Sequence, residues 1–211
     1  YMAATLYTGT GSSQSPANSQ SNGGNNALGK TFYPDLTWIK SRSAATDHKW
    51  TDSVRGVTKA LISNTSGAET TDTNGLTAFS STGFTVGTDT NYNNNAATYV
   101  AWQWNAGSGS SSSNTNGSIT STVSANPTAG FSIVTYTGTG AAATVGHGLG
   151  VAPSMILIKN RGPSTWDWIV YHASLGNTQY LLLDTTGAAA TSSLAFNNTS
   201  PTSSVFSLGS G

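Results

Sequence analysis

An internal repeat restricts the fold of this chain more than any other feature. Tyr7-Thr8-Gly9-Thr10-Gly11 recurs letter for letter as Tyr136-Thr137-Gly138-Thr139-Gly140, each time after apolar residues. Pro34-Asp35-Leu36-Thr37-Trp38-Ile39-Lys40-Ser41-Arg42 aligns with Pro153-Ser154-Met155-Ile156-Leu157-Ile158-Lys159-Asn160-Arg161, keeping the Pro, Ile, Lys and Arg. Gly56 to Leu61 aligns with Gly176 to Leu181, Thr65-Ser66-Gly67-Ala68 with Thr185-Thr186-Gly187-Ala188, and Ser81 to Gly87 with Ser203 to Gly209. Five blocks in one order require two copies of one module, each with its own strands and core. A chain of 211 residues is long enough for two domains of about 100 residues.

The copies differ in two places. Matched blocks lie about 120 residues apart after the Pro-containing block and about nine more before it, so copy one carries an insertion, placed in the Asn-, Ser- and Gly-rich stretch from Ser15 to Thr31. Copy one also continues through Asn91-Tyr92-Asn93-Asn94-Asn95 to Thr98-Tyr99-Val100-Ala101-Trp102-Gln103-Trp104, and copy two reaches Gly211 without a counterpart. A missing strand leaves an unpaired edge and an open core. The expectation is that the parent reading frame carries a Tyr-Val-Ala-like strand after Gly211.

Short runs of β-branched, aromatic and aliphatic residues predict strands at Leu36 to Lys40, Thr98 to Trp104, Phe131 to Tyr136, Met155 to Lys159, Trp166 to Tyr171 and Tyr180 to Leu183. Turn residues separate them at the spacing of a sandwich or barrel. The expected fold is all-β: two tandem antiparallel β-sandwich modules, 1–104 and 119–211, joined over 105–118 by a Gly, Ser and Asn stretch that reads as a flexible linker or a long exposed loop, the second module truncated. Period two sets Thr98, Val100, Trp102 and Trp104 against Tyr99, Ala101 and Gln103, and the Trp-bearing face is expected to be core.

Charged residues make up 8% of the chain and net charge is zero, so no basic field collects nucleic acid or anionic lipid. No apolar run is long enough to predict membrane insertion. Six Trp, eight Tyr and six Phe supply the burial that a disordered chain of similar polarity lacks. There is no cysteine, so no disulfide or thiolate site is available.

Few residues suggest chemistry. His48, Asp52 and Ser53 do not have the spacing of a catalytic set, and copy two has His172-Ala173-Ser174 in that stretch, so Asp52 and Arg55 read as a structural ion pair. No catalytic residue, cofactor or metal ligand is assigned. His147, in Val145-Gly146-His147-Gly148-Leu149-Gly150, reads as a turn residue, because no P-loop order and no helical pattern accompany it. Asp89 with Asn91 and Asn93 to Asn95 reads as a polar turn rather than a Ca²⁺ loop, with one carboxylate among amides. Trp50 and Trp166 are the candidate glycan contacts, since an indole face stacks on a sugar ring. Trp166 and Trp168 are expected to be buried or exposed together.

Leu6 to Gly11, Tyr33 to Arg42, Asp52-Ser53-Val54-Arg55-Gly56, Ala125 to Val134 and Thr144 to Gly150 together resemble a tandem β module of virion proteins in tailed bacteriophages, marine and cyanobacterial ones among them. The resemblance spans essentially the whole chain. It implies a concanavalin-like or jelly-roll-like sandwich and a tail-fibre-like or capsid-surface structural protein, non-enzymatic, that spaces or forms a host-adhesion surface. It further implies other virion proteins and host surface glycans as partners, a homotrimer, and an extracellular location on the particle surface. The alternative is a carbohydrate-binding module pair of a secreted hydrolase or bacterial adhesin.

Overall fold

In the first copy, alternating residues place one side of each strand inward, and the computed structural model closes seven of these strands into one sheet. It describes residues 2–18, 25–26, 31–163 and 165–211, so the middle of the insertion expected over 15–31 lies outside the described residues. Strands β1 (Met2–Thr8), β2 (Asn25–Asn26), β3 (Leu36–Ser41), β4 (Lys49–Asp52), β5 (Lys59–Ile62), β6 (Thr70–Thr71) and β9 (Thr98–Trp104) form an antiparallel sheet in the order β2-β1-β9-β3-β4-β5-β6. The last long strand of the unit therefore lies at its centre, between β1 and β3. A second layer is made by the β7 (Leu76–Ser80) and β8 (Gly83–Val86) hairpin, extended by bridges from Gln14 to Val86 and from Ala17 to Gly83. The core between the layers is Ile39, Leu76, Phe84, Val86, Tyr92, Ala97, Tyr99 and Ala101. Tyr7 stacks on Tyr99 at 5.1 Å and meets Phe84 edge-on at 6.0 Å.

The second copy repeats this register where the sequences align. Strands β14 (Met155–Ile158), β15 (Ile169–His172), β16 (Gln179–Leu182) and β17 (Ala190–Thr191) form one sheet in chain order. Met155 faces His172 as Leu36 faces Asp52, and Ile158 faces Ile169 as Ile39 faces Lys49. Strand β13 (Ala143–Gly146) pairs with β18 (Val205–Leu208) as residues 14–17 pair with β8. Strands β10 (Ser112–Asn114), β11 (Ser121–Asn126) and β12 (Phe131–Thr135) form a third sheet. In both copies the β4–β5 type turn passes through a glycine with positive φ, Gly56 at 96° and Gly176 at 81°, a region costly for any residue with a Cβ. In both, a lysine ties the preceding hairpin. Lys40 Nζ donates to the carbonyls of Ser41 and Ala44, and Lys159 Nζ to those of Asn160 and Trp166.

The chain is all-β in two compact units, residues 1–63 with 69–110, and residues 64–68 with 111–211. The expected flexible linker over 105–118 is corrected. Asn105 and Ala106 are buried in the first unit, and Ser112–Asn114 is strand β10 of the second. Apart from Ala106 the segment lacks apolar residues, yet the backbone N–H groups of Ala106, Ser108 and Gly109 find acceptors, and that orders its start. The face expected for β9 is also corrected: Tyr99, Ala101 and Gln103 are fully buried, and Trp102 and Trp104 point to the other side, half-buried. Trp166 precedes β15, which starts at Ile169, so the predicted strand from 166 is shorter at its start.

Candidate functional site

The outer face of the seven-stranded sheet carries an aromatic row set by strand register. Ala4 faces Trp102, Trp102 faces Trp38, Trp38 faces Trp50 and Trp50 faces Leu61, one residue from each of β1, β9, β3, β4 and β5. The Trp38 ring lies 5.1 Å from Trp50 and 5.7 Å from Trp102, tilted by 43° and 58°. The three indoles are half-buried because each covers part of its neighbour, which makes cross-strand aromatic pairs of the stabilising kind. One register step away Trp104 faces Met2 and Leu36, and Met2 and Leu6 are exposed on the same face. The row belongs to copy one only, since register places Leu157, Val170 and Leu181 at the positions of Trp38, Trp50 and Leu61.

Of the two glycan candidates, Trp50 sits in this row. Trp166 lies in the second unit and is 49% exposed, whereas Trp168 is 3% exposed, so the two do not share a fate. The Trp168 carbonyl accepts from Leu183 N–H at 3.0 Å directly before β15, whereas Trp166 lies outside the strand and is not held to its period-two alternation. Trp168 is fixed by its backbone N–H to Asp184 Oδ1 at 3.0 Å.

Of the groups weighed for chemistry, Asp52, Ser53, Arg55 and Asp89 bond within the fold. Arg55 Nε donates to Asp52 Oδ2 at 2.5 Å and Arg55 Nη1 to Glu69 Oε2 at 2.9 Å, with the Arg55 side chain 3% exposed. Ser53 Oγ donates to Asp35 Oδ1, away from Asp52 and His48. Asp35, fully buried, also accepts from the backbone N–H groups of Ala106, Ser108 and Gly109 at 2.7 to 2.9 Å. Asp89 caps the four-residue helix α1 (Thr90–Asn93) by accepting from Asn91 N–H. Asn93 is fully buried: its Oδ1 accepts from Thr10 N–H and Gln14 Nε2, and its Nδ2 donates to the carbonyls of Ser12 and Gly87. Asp89 and Asn93 of the oxygen-rich loop are thus held by protein partners within the first unit.

His147 follows directly on β13, which extends the turn reading of this segment back into a strand. It is 2% exposed, its Nε2 lies 3.2 Å from the Thr202 carbonyl and its Nδ1 accepts from Leu149 N–H. Those partners select the neutral ring protonated at Nε2, and burial lowers its pKa from the ordinary histidine value. Among the described residues no group of three or more His, Cys, Asp or Glu side chains is placed to hold a metal ion. No helix among them is long and apolar enough to cross a membrane.

An all-β chain of two repeated units, with an aromatic sheet face and with Asp35, Asp52, Arg55, Asp89 and His147 bonded within the fold, is what the geometry defines. Over residues 1–211 the chain belongs to the family described as Domain of unknown function (DUF7483). No curated protein and no solved structure matches it.

Proposed function

We propose that the chain is a structural protein of a tailed-bacteriophage virion, tail-fibre-like or capsid-surface, whose repeated units space or form a host-adhesion surface without catalysing a reaction. The Trp50–Trp38–Trp102 row carries this reading. It offers an apolar, aromatic face for packing against another virion protein or a host glycan, while Asp35, Asp52, Arg55 and His147 are committed to internal bonds. Low charge and the block resemblance to virion modules support the same reading. In it the chain acts extracellularly on the particle, as a homotrimer.

Gold-labelled antibody against the chain tests the location. Label on the surface of particles made from the encoding genome is expected, and label confined to host envelopes or to a secreted hydrolase overturns it in favour of a carbohydrate-binding module pair. A glycan array tests the contact residues. Retention of a glycan is expected to fall at least tenfold in Trp50→Ala, about the effect of removing one stacked indole. Retention unchanged in both Trp50→Ala and Trp166→Ala leaves the aromatic row to protein packing alone.

A further inference from the structure

In an asparagine followed by glycine, the side-chain amide is open to attack by the next backbone nitrogen, because glycine brings no Cβ to crowd the approach. The chain has three such pairs, at 22–23, 74–75 and 116–117, and the first lies outside the described residues. The other two sit in opposite surroundings. Asn74-Gly75 is bound through both residues. Asn74 N–H donates to Asp72 Oδ1 and the Asn74 carbonyl accepts from Asp89 N–H, while Gly75 N–H donates to the Asp72 carbonyl and the Gly75 carbonyl accepts from Gly87 N–H. Gly75 is also buried, against Asp72 and Tyr92.

Asn116 is exposed in the bend after β10, held by its backbone N–H to Asn114 Oδ1 at 2.9 Å. Among the described residues neither its side chain nor the Gly117 N–H has a hydrogen-bond partner. Glycine at 117 is nevertheless required, since a Cβ there would collide with the Thr144 carbonyl on β13. From Ser118 onward the chain is fixed again. Ser118 N–H donates to Thr144 Oγ1 and Ser118 Oγ accepts from Thr144 N–H, each at 2.9 Å, and Ile119 N–H donates to the Thr144 carbonyl at 3.0 Å. The fold thus demands the labile pair and leaves its reacting atoms unheld.

We propose that Asn116 is a site of spontaneous modification, in which the Gly117 nitrogen attacks Asn116 Cγ. The N–Cγ bond forms, the Cγ–Nδ2 bond breaks, and the side-chain nitrogen leaves as ammonia with the proton that Gly117 gives up. Water then opens the five-membered imide at either carbonyl. One product is aspartate at 116, and the other is isoaspartate, whose main chain runs through the former side chain. Both add one negative charge to a chain of zero net charge. Isoaspartate also inserts one carbon into the main chain between β10 and the Ser118 anchor. Ile119, next after that anchor, is one of three buried residues of the second core and forms a parallel bridge with Val145. The bonds to Thr144 leave the added length no slack on that side, so it loosens the seat of Ile119.

The test keeps the full 211-residue chain at neutral pH in heavy-oxygen water and weighs its peptides at intervals. The Asn116 peptide is expected to take up solvent oxygen about tenfold faster than the Asn74 peptide, or more, since reaction at Asn74 must await local opening. The rate rises with pH, because the attacking nitrogen must shed its proton. In denaturant the two pairs are expected to convert at similar rates. Equal rates in the folded chain overturn the proposal, as does an Asn116 that converts only when the chain is denatured. Asn116→Gln is expected to stop the reaction at this site while the chain stays folded, where Gly117→Ala would disturb the contact with Thr144. Protection of the Ser118 and Ile119 amides, taken against their intrinsic exchange rates, is expected to fall about tenfold in the isoaspartate form. In Asn116→Asp, which carries the charge without the added carbon, it is expected to stay near the parent value. Protection unchanged in the isoaspartate form overturns the coupling to the second core.

Discussion

The Asp35 carboxylate takes three backbone N–H groups and two side-chain donors with no solvent exposure. Asp35→Ala leaves those donors buried without an acceptor, and a loss of roughly 3 kcal/mol or more in the unfolding free energy of the first unit is expected by denaturant titration. His147 adds a pH dependence to the second unit. Its pKa is lowered on folding, so the unfolded chain binds the proton more readily. The contribution is present above the ordinary value of 6.5 and is lost as pH falls through it. A protonated ring would also aim a second N–H at the Leu149 N–H. Protection factors of β13 and β18 amides, taken against the intrinsic exchange rate at each pH, are expected to fall between about pH 7 and pH 5, and His147→Gln to flatten that dependence. Asp35 and the Asp52–Arg55 pair differ in how far sequence exposes them. Asp52 and Arg55 read as a pair because their partners are local, three residues apart. Asp35 did not stand out, because its backbone donors lie more than 70 residues further along and come from a segment of Gly, Ser and Asn.

At the scale of the element, strand existence was legible and strand facing was not. β-branched and aromatic runs marked β3, β9, β12 and β14. For β9, hydropathy favours the Trp side as core, yet the close second layer admits Ala101 and Tyr99, and the Tyr99 hydroxyl donates to the Thr90 carbonyl and accepts from Asn94 N–H. The indoles find burial instead in one another, across β9, β3 and β4, which no single-strand pattern reveals. Tyr99→Ala is therefore expected to cost about 3 to 5 kcal/mol, the range for a fully buried aromatic ring, and Trp102→Ala distinctly less. Denaturant midpoints of the two variants, compared at equal m, check the order. Trp166→Ala, at an exposed site before β15, is expected to stay within about 0.5 kcal/mol of the parent.

For the whole molecule, the repeat made two units legible and gave the correspondence of their sheets. Where one ends and the other begins was hidden, because Gly- and Ser-rich composition describes a free linker and a backbone held by a buried carboxylate equally well. The larger buried core of the first unit predicts that heating or denaturant melts the second first. Exchange protection is then expected to be lost from β14 and β15 before β3 and β9. The Asp35 grip has a mechanical consequence for the first unit. Met2 and Trp104 are register partners, so a pull on the two ends of the first unit meets β1 and β9 where they would peel apart one bond at a time. The exit through Ala106, Ser108 and Gly109 is anchored to Asp35 at the head of β3, so force from that side reaches the next strand of the sheet before it reaches the tip of β9. The carboxylate acts as a strain relief at the place where peeling would otherwise start to unzip the module.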